Sequence, residues 1–523
     1  MTVFSRKEIL VVGGRELSPL PFGNRGLVLK PLRVEAITES DLATACGILV
    51  AEPAGQYREI RALADRGAQN AFAMGLMIGI WPANPQARVQ AELFRDGIPA
   101  ASQPHSLPPN DGRRWIEIQD DLEVLAESLR VHDPGPHAGN PEIKSYDPDF
   151  KIPPEHALLL RRAFQDAAKL IVEDFAEGKT ADGTYRVFVE LEGRDRGPQP
   201  MPFVFKVAQT KKKVDADEWI NPLYVERYNY RQWAEPFIPF HLRPGLLEER
   251  CVTTPFWSAI ACHFVDGAVP LETVLQNRQG AGLLFSLFET TLRGFRAHTL
   301  QSEPEAEVIR TFILKRIGAR RLSENEVLAP RVTTAMSHGF TGTPDQLQAA
   351  LADAAKGRKS RRGIYHGDLH LANIMVRQRD SIVIDFGSMG DFGPITADPA
   401  ALEASIVFGT RPLSSDELQR EWRDYVDQLY RFPLIPPLPS TEHFQFAWMN
   451  RAVRELRHVV FCCGASEPEM LLMLSASLLR FARFSPAGYR DEAVLRISEE
   501  RKAYALVIAQ RVYHEALKAP KTP

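Results

Sequence analysis

The stretch Tyr365–Gly387, YHGDLHLANIMVRQRDSIVIDFG, holds the residues best suited to chemistry. Ile374–Val376 and Ser381–Ile384 are short apolar runs on either side of a polar turn, so they read as a hairpin. Asp368 and Asn373 lie just before it, and Asp385 lies at its end. A hairpin returns Asp385 toward Asn373, which brings three oxygen-bearing side chains to one edge. Carboxylate and amide oxygens are hard ligands suited to Mg²⁺, an ion that completes its shell with phosphate oxygens. Asp368 is then left to accept a proton from an attacking hydroxyl. A second Asp-Phe-Gly, at Asp391–Gly393, does not end an apolar strand at hairpin distance from Asn373 and reads as part of the following loop. His366 and His370 complete no ligand set and read as supports of the loop. Asp398 and Glu403 sit at the start of a helix, where acidic side chains favour the dipole.

Asp368, four residues, Asn373 and then Asp385-Phe386-Gly387 resemble the order of the protein-kinase signature. The HGDLHxxN form is similar to the aminoglycoside phosphotransferase and choline kinase branch of the protein-kinase-like fold, rather than to the HRD form of eukaryotic protein kinases. The following GPITADPAALEASI resembles a bacterial kinase-like domain known as a ternary complex associated domain. The resemblance runs from about Phe175 to the C-terminal helices, with its strong motifs in the catalytic stretch. It implies an α+β bilobal domain, with a kinase-like N-lobe and hinge over residues 155–267 and a helical C-lobe over 268–523. It also implies ATP between the lobes, Mg²⁺ on Asn373 and Asp385, and Asp368 as the catalytic residue.

Such a fold needs a lysine that pairs with phosphate. Lys206 in PFVFKVA interrupts the apolar run of a third strand. An ammonium inside a buried strand needs a compensating anion. The triphosphate and a helix carboxylate would serve, and Glu226 in LYVERYNYRQW is the chosen carboxylate, with Glu218 and Glu235 as rivals. Gly178–Gly183 (GKTADG) lies between two strand candidates, where the phosphate-covering loop belongs, and puts Gly178 and Gly183 at the phosphates. It lacks the G-x-G-x-x-G pattern. A Walker loop is excluded because Glu173 stands where that motif requires glycine. Cys262–Gly267 (CHFVDG) resembles the hinge, with Phe264 and Val265 beside the adenine. The basic run Lys356–Arg362 reads as a solvated loop.

These residues must be positioned by ordered elements. Helices are expected over Glu155–Leu170 and Trp219–Phe237. Strands are expected over Ile171–Phe175, Tyr185–Leu191, Phe203–Val207, Cys251–Trp257 and Ala259–Val265, with a mostly helical chain from Leu271 onward. Residues 131–154 are rich in Pro, Gly and Asp and read as a linker. Before it, residues 1–130 alternate strand-like runs (Lys7–Val12, Leu27–Leu32, Ile48–Ala51, Leu76–Ile80, Trp115–Ile118) with helical ones (Tyr57–Met74, Pro85–Phe94, Asp120–Leu129). That pattern predicts a small open α/β domain, receiver-like or flavodoxin-like. It carries no dinucleotide fingerprint and no usual phosphoacceptor, since the first strand ends in Gly13-Gly14 and a later one in Glu52-Pro53.

The chain has 523 residues, a formal charge of -3 and 44% hydrophobic residues, a balance that excludes a disordered chain and gives no general affinity for nucleic acid. Five cysteines without a CxxC pair fit a reducing compartment rather than a disulfide framework. No stretch reaches 18 apolar residues, so a cytoplasmic protein without membrane spans is expected. The expected activity is ATP- and Mg²⁺-dependent transfer of the γ-phosphoryl group to a hydroxyl of a small molecule or protein. The alternative is a nucleotide-binding, pseudokinase-like signalling module with little or no phosphotransfer, its N-terminal domain meeting a signalling partner.

Overall fold

The computed structural model describes residues 8–13, 19–33, 36–51, 75–96, 115–132, 138–175, 181–192, 197–210, 212–213, 219–254, 256–280, 282–317, 327–412, 415–431, 445–484 and 491–518. They fall into two units, Met1–Tyr228 with Gly245–Phe264 and Asn229–Pro244 with Val265–Pro523.

In the first unit, β1 (Glu8–Val12), β2 (Val28–Pro31), β3 (Ala45–Ala51), β4 (Met77–Trp81) and β5 (Ile116–Ile118) form a five-stranded sheet of order β2-β1-β3-β4-β5. Every pairing is parallel. Strands β1, β3 and β4 read as near-continuous apolar runs because both of their faces are covered. Leu10, Val12, Ile48, Val50, Ile78 and Ile80 pack on one side. Ile9, Val11, Leu49 and Met77 pack on the other, against Leu125 and Leu129 of a helix. The helices include α1 (Pro85–Asp96) and α2 (Leu122–Val131), the latter capped by the Asp121 side chain on the Glu123 N–H. Gly13 ends β1 at φ +123°, where a Cβ would lie 1.6 Å from the Ala51 carbonyl oxygen. Its role is to let the chain turn against β3. The helix expected at Tyr57–Met74 lies outside the described residues.

The second sheet of this unit has the order β12-β13-β9-β8-β7-β6. Its members are β6 (Glu142–Ser145), β7 (Ala167–Asp174), β8 (Gly183–Leu191), β9 (Phe203–Gln209), β12 (Val252–Thr253) and β13 (Trp257–His263); β10 (Lys212–Lys213) and β11 (Trp219–Ile220) form a separate pair. Three sequence expectations change here. The stretch read as a linker contains β6, which pairs in parallel with β7. The helix expected through Leu170 ends at Ala163 as α3 (Pro154–Ala163). Residues 167–170 instead join β7, where Leu170 and Val172 are fully buried against β8. Pairing outweighs the helical propensity of Ala-Ala-Lys-Leu. The helix expected from Trp219 begins at Pro222 as α4 (Pro222–Asn229), because Asn221 accepts the Tyr224 N–H and Pro222 suits the first turn. A π-helical turn, Tyr230–Ala234, follows it.

Helix α3 is a wall shared by both cores of this unit. Leu158 packs with the parallel sheet, together with Ala138 and Phe256. Leu159, Leu160 and Ala163 pack with the second sheet.

The second unit is mainly helical: α5 (Val308–Ile317), α6 (Ala397–Phe408), α7 (Ala447–Cys462), α8 (Glu467–Phe481) and α9 (Glu492–Lys518) are its principal helices. Short sheets interrupt them. β14 (Val269–Pro270), β17 (Ile374–Arg377) and β18 (Asp380–Val383) form one; β15 (Pro304–Ala306), β16 (Lys359–Tyr365) and β19 (Gly390–Pro394) form the other. The expected hairpin is β17–β18. The basic run read as a solvated loop instead enters β16, with Ser360 buried. The second Asp-Phe-Gly lies on β19, paired with β16, rather than in a loop. Helix α6 is apolar nearly all round and buried on nearly every side, as such a pattern requires.

Candidate active site

The stretch Tyr365–Gly387 starts where β16 ends. The His366 and Gly367 N–H groups donate to the two oxygens of the Asp398 carboxylate, at 2.7 and 2.9 Å. Gly367 has φ +80°, and a Cβ there would lie 2.2 Å from the Ser388 carbonyl oxygen. Asp398 in the first turn of α6 therefore holds the loop by its backbone, a role that the helix-dipole reading missed. His366 is fully buried. Its Nε2 bonds the Ile384 carbonyl at 3.1 Å, while Nδ1 accepts the Asp368 N–H at 3.3 Å. These partners require a neutral ring with the proton on Nε2. Burial pushes the His366 imidazole below its ordinary value, against the opposing charges of Asp398, Asp368 and Asp385.

Asn373 closes a one-turn 3₁₀ helix, Leu371–Asn373. Its Nδ2 donates to the Asp368 carbonyl at 2.9 Å, and its own carbonyl accepts the Ile384 N–H at 3.0 Å. The loop and the end of the hairpin are thus tied together through Asn373. The engaged Nδ2 leaves the amide oxygen as the group offered for a ligand. Asp385 is a non-glycine residue at φ +64°, a conformation that costs of order 1 kcal/mol or more and clusters at functional sites. The Asn229 amide holds the next turn, donating to the Phe386 and Gly387 carbonyls at 3.2 and 3.1 Å. Phe386 is buried between Tyr230 and His366.

The Asp368 carboxylate projects from this frame. Oδ1 is ion-paired with Arg480 of α8 at 2.8 Å, and Oδ2 is 3.6 Å from His370 Nε2. Burial favours the neutral acid, but the His370 and Arg480 partners outweigh it and hold the carboxyl well below the usual range. Arg480, more than 100 residues along the chain, carried no local sequence signal.

In the first unit, Lys206 of β9 pairs with Glu226 of α4 at 2.7 Å, with both side chains largely buried. Of the two rivals, Glu235 is exposed, and Glu218 lies outside the described residues. Gly183 opens β8, packed against the Tyr185 hydroxyl; Gly178 lies outside the described residues. The Phe264 N–H donates to the Pro202 carbonyl at 3.3 Å, and its ring meets Phe175 and Arg186. Val265 is half-buried and begins the longer segment of the second unit.

Asn373 and Asp385 offer one amide oxygen and one carboxylate, hard donors that fit Mg²⁺ and leave most of its shell to phosphate and water. Among the described residues, no cluster of three or more His, Cys, Asp or Glu side chains provides another metal site.

Residues 296–519 match the family model for ternary complex associated domain 9. No curated protein matches the chain. Among solved structures, the chain is similar to an aminoglycoside phosphotransferase in ternary complex with AMP-PNP and hygromycin B, at 14% identity, over 66% of this chain and 93% of that one, with a TM-score of 0.37. It is similar to a choline kinase from Cryptosporidium parvum at 12% identity, over 67% and 90%, with a TM-score of 0.33. A choline/ethanolamine kinase family protein from Mesorhizobium loti gives 12% identity, 66% and 92%, and 0.34. By its loop, its hairpin and its family match, the chain resembles the aminoglycoside phosphotransferase and choline kinase type of the kinase-like fold, with its C-terminal part similar to ternary complex associated domain 9.

Proposed function

We propose that the chain is an ATP- and Mg²⁺-dependent phosphotransferase acting on a hydroxyl acceptor. The observation that carries this reading is Asn373, whose side-chain Nδ2 donates to the Asp368 carbonyl and whose backbone carbonyl accepts the Ile384 N–H. That arrangement spends two hydrogen bonds on fixing Asn373 and Asp385 relative to Asp368. When bound, Mg²⁺ would be held by Asn373 and Asp385 and would neutralise charge on the phosphates. Lys206, kept in place by Glu226, supplies the cation for the phosphates. Phe264 and Val265 supply the adenine edge, and Gly178 and Gly183 the loop over the phosphates.

In the transfer, the bond from the γ-phosphorus to its bridging oxygen breaks, and ADP leaves with the electron pair. A bond forms from the acceptor oxygen to phosphorus, and the hydroxyl proton passes to Asp368. Asp368, kept ionised by Arg480 and His370, takes that proton once the new bond has made the hydroxyl acidic. Its earlier work is to orient the hydroxyl, which suits the loose transition state of phosphoryl transfer.

One observation favours the second reading, a nucleotide-binding module: Asp368 is already occupied by Arg480. The strand order of the parallel sheet, that of flavodoxin-like and receiver domains, supports an N-terminal domain that meets a signalling partner. No described helix is long and apolar enough to cross a membrane.

Calorimetry with purified protein separates the readings. Asp385→Ala weakens Mg·ATP binding far more than metal-free ATP binding. Asp368→Asn leaves Mg·ATP affinity within a few-fold and lowers transfer by roughly 10²–10⁴. Unchanged Mg·ATP binding in Asp385→Ala refutes the metal assignment; unchanged transfer in Asp368→Asn refutes the mechanism.

A further inference from the structure

We infer that Asn229 is a positioning residue for Mg²⁺: its side-chain amide holds Asp385 in the backbone conformation that makes its carboxylate a metal ligand. The metal rests on the phosphotransferase reading, whereas the hold on the turn is a matter of hydrogen bonds.

Asp385 has φ +64°. This left-handed region crowds the Cβ of an L-residue, so the chain relaxes out of it unless its surroundings forbid the move. Arg278 and Gln378 also have positive φ. Arg278 follows the end of the helix Leu271–Gln276, and Gln378 lies in the turn of the β17–β18 hairpin. Local bonding favours the left-handed conformation at both kinds of place. Asp385 is at neither, since β18 has already ended at Val383.

The turn after Asp385 is gripped from two sides. On one side the backbone of Gly367 comes so close to the Ser388 carbonyl that a Cβ would lie 2.2 Å from its oxygen. On the other side Asn229 Nδ2 donates to the Phe386 and Gly387 carbonyls at 3.2 and 3.1 Å. Two successive carbonyls aimed at one atom need two donor hydrogens on it. Among uncharged side chains only the NH₂ of Asn or Gln provides them. Asn229 is 6% exposed, so water does not stand in for the amide, and its loss leaves buried acceptors short of a donor.

The place of Asn229 in the chain fits this use. Asn disfavours helix interiors, yet here it is the last residue of α4, directly before the π-helical turn Tyr230–Ala234. Such turns are frequent at functional sites. Tyr230, the next residue, packs its ring on Phe386 at 5.5 Å between centroids. One step of chain therefore holds Phe386 by its carbonyl and by its ring.

If the amide is lost, Asp385 relaxes toward an ordinary conformation and its carboxylate moves with it. Mg²⁺ demands near-octahedral ligands at roughly 2.0–2.1 Å, so a small displacement removes a ligand. Nucleotide without metal makes no use of Asp385 and feels little change.

The test is calorimetry of the full chain with AMP-PNP, with Mg²⁺ and with EDTA. The parent binds the Mg²⁺ complex more tightly than the free nucleotide. Asn229→Leu and Asn229→Asp each remove both donors at nearly constant volume. Each weakens binding of the Mg²⁺ complex roughly ten- to a hundredfold and leaves metal-free binding within a few-fold. Asn229→Gln, which keeps the NH₂ on a longer stem, falls between. Hydrogen exchange over residues 386–389, measured without nucleotide or metal, rises in the Leu and Asp variants. Gln419→Leu removes another buried amide, one that accepts from Arg501 at 3.1 Å. It lowers stability but keeps the parent's ratio of metal-bound to metal-free affinity, which separates positioning from a loss of stability. A parent-like ratio in Asn229→Leu, while Asp385→Ala loses it, overturns the inference and leaves the metal reading standing. An equal change of ratio in Gln419→Leu also overturns it. A parent that gains nothing from Mg²⁺ overturns both.

Discussion

Replacing Asp398 by Asn tests whether the catalytic loop is held from α6. The carboxylate accepts two backbone N–H groups, at 2.7 and 2.9 Å, and is itself buried. Hydrogen bonds to a charged group contribute about 1.5–3 kcal/mol each. Asn keeps one acceptor oxygen but turns an NH₂ toward the other N–H, so one bond is lost and a buried donor is left without a partner. The expected loss is about 2–3 kcal/mol. For a unit of this size about 2–4 °C accompanies each kcal/mol, so the transition falls by roughly 4–12 °C. The loop also shifts, and misplacing a reacting group by about 1 Å costs on the order of 10²-fold in rate. Urea unfolding gives the stability change, and ADP release at a temperature where the variant is folded gives the rate. A change below about 0.5 kcal/mol, the range of ordinary surface substitutions, together with normal turnover, refutes the reasoning.

Two further outcomes follow from buried charge. Because burial lowers the folded pKa of His366, its neutral form contributes stability above the unfolded value of about 6.5. That contribution is lost as pH falls through 6.5 toward the folded value. Urea midpoints for the parent should therefore drop more steeply between pH 7.5 and 5 than those of His366→Asn, and parallel profiles contradict the assignment. Other buried histidines and carboxyls titrate in both proteins and cancel in the comparison. Glu403 and Arg457 form a fully buried pair at 2.5 and 3.0 Å. Glu403→Gln leaves a buried guanidinium uncompensated and costs about 3–5 kcal/mol, whereas Glu403→Leu with Arg457→Met recovers most of it; a double variant as unstable as the single one excludes this account.

The loop and hairpin of Tyr365–Gly387 were legible because their elements are local. Asn373 and Asp385 are separated by one short hairpin, and hairpin patterns survive in sequence. Lys206 was legible for a different reason: a charge in the middle of VFKVA breaks a buried strand and demands an explanation. What holds these residues was not legible. Asp398 reads as an acid in the first turn of a helix, and nothing local says that it reaches back to residues 366 and 367. Arg480 meets Asp368 only after the helices have packed. The strand at 142–145 is hidden in a Pro-rich stretch, since it becomes a strand only by pairing with β7. At 167–170, residues with helical propensity are drawn into a sheet, and pairing with β8 decides the outcome.

The packing of Leu158 in the core of the parallel sheet, and of Phe256 against that core, has a consequence during synthesis. The last strand of that sheet ends at Ile118, but Phe256, the half-buried ring that packs against its core, is made about 140 residues later. At roughly 5–20 residues per second this is a delay of about 7–28 s. Throughout that interval the nascent N-terminal sheet carries an incomplete apolar face. A ribosome stalled between these points would present that face to chaperones, while one stalled beyond residue 256 would not.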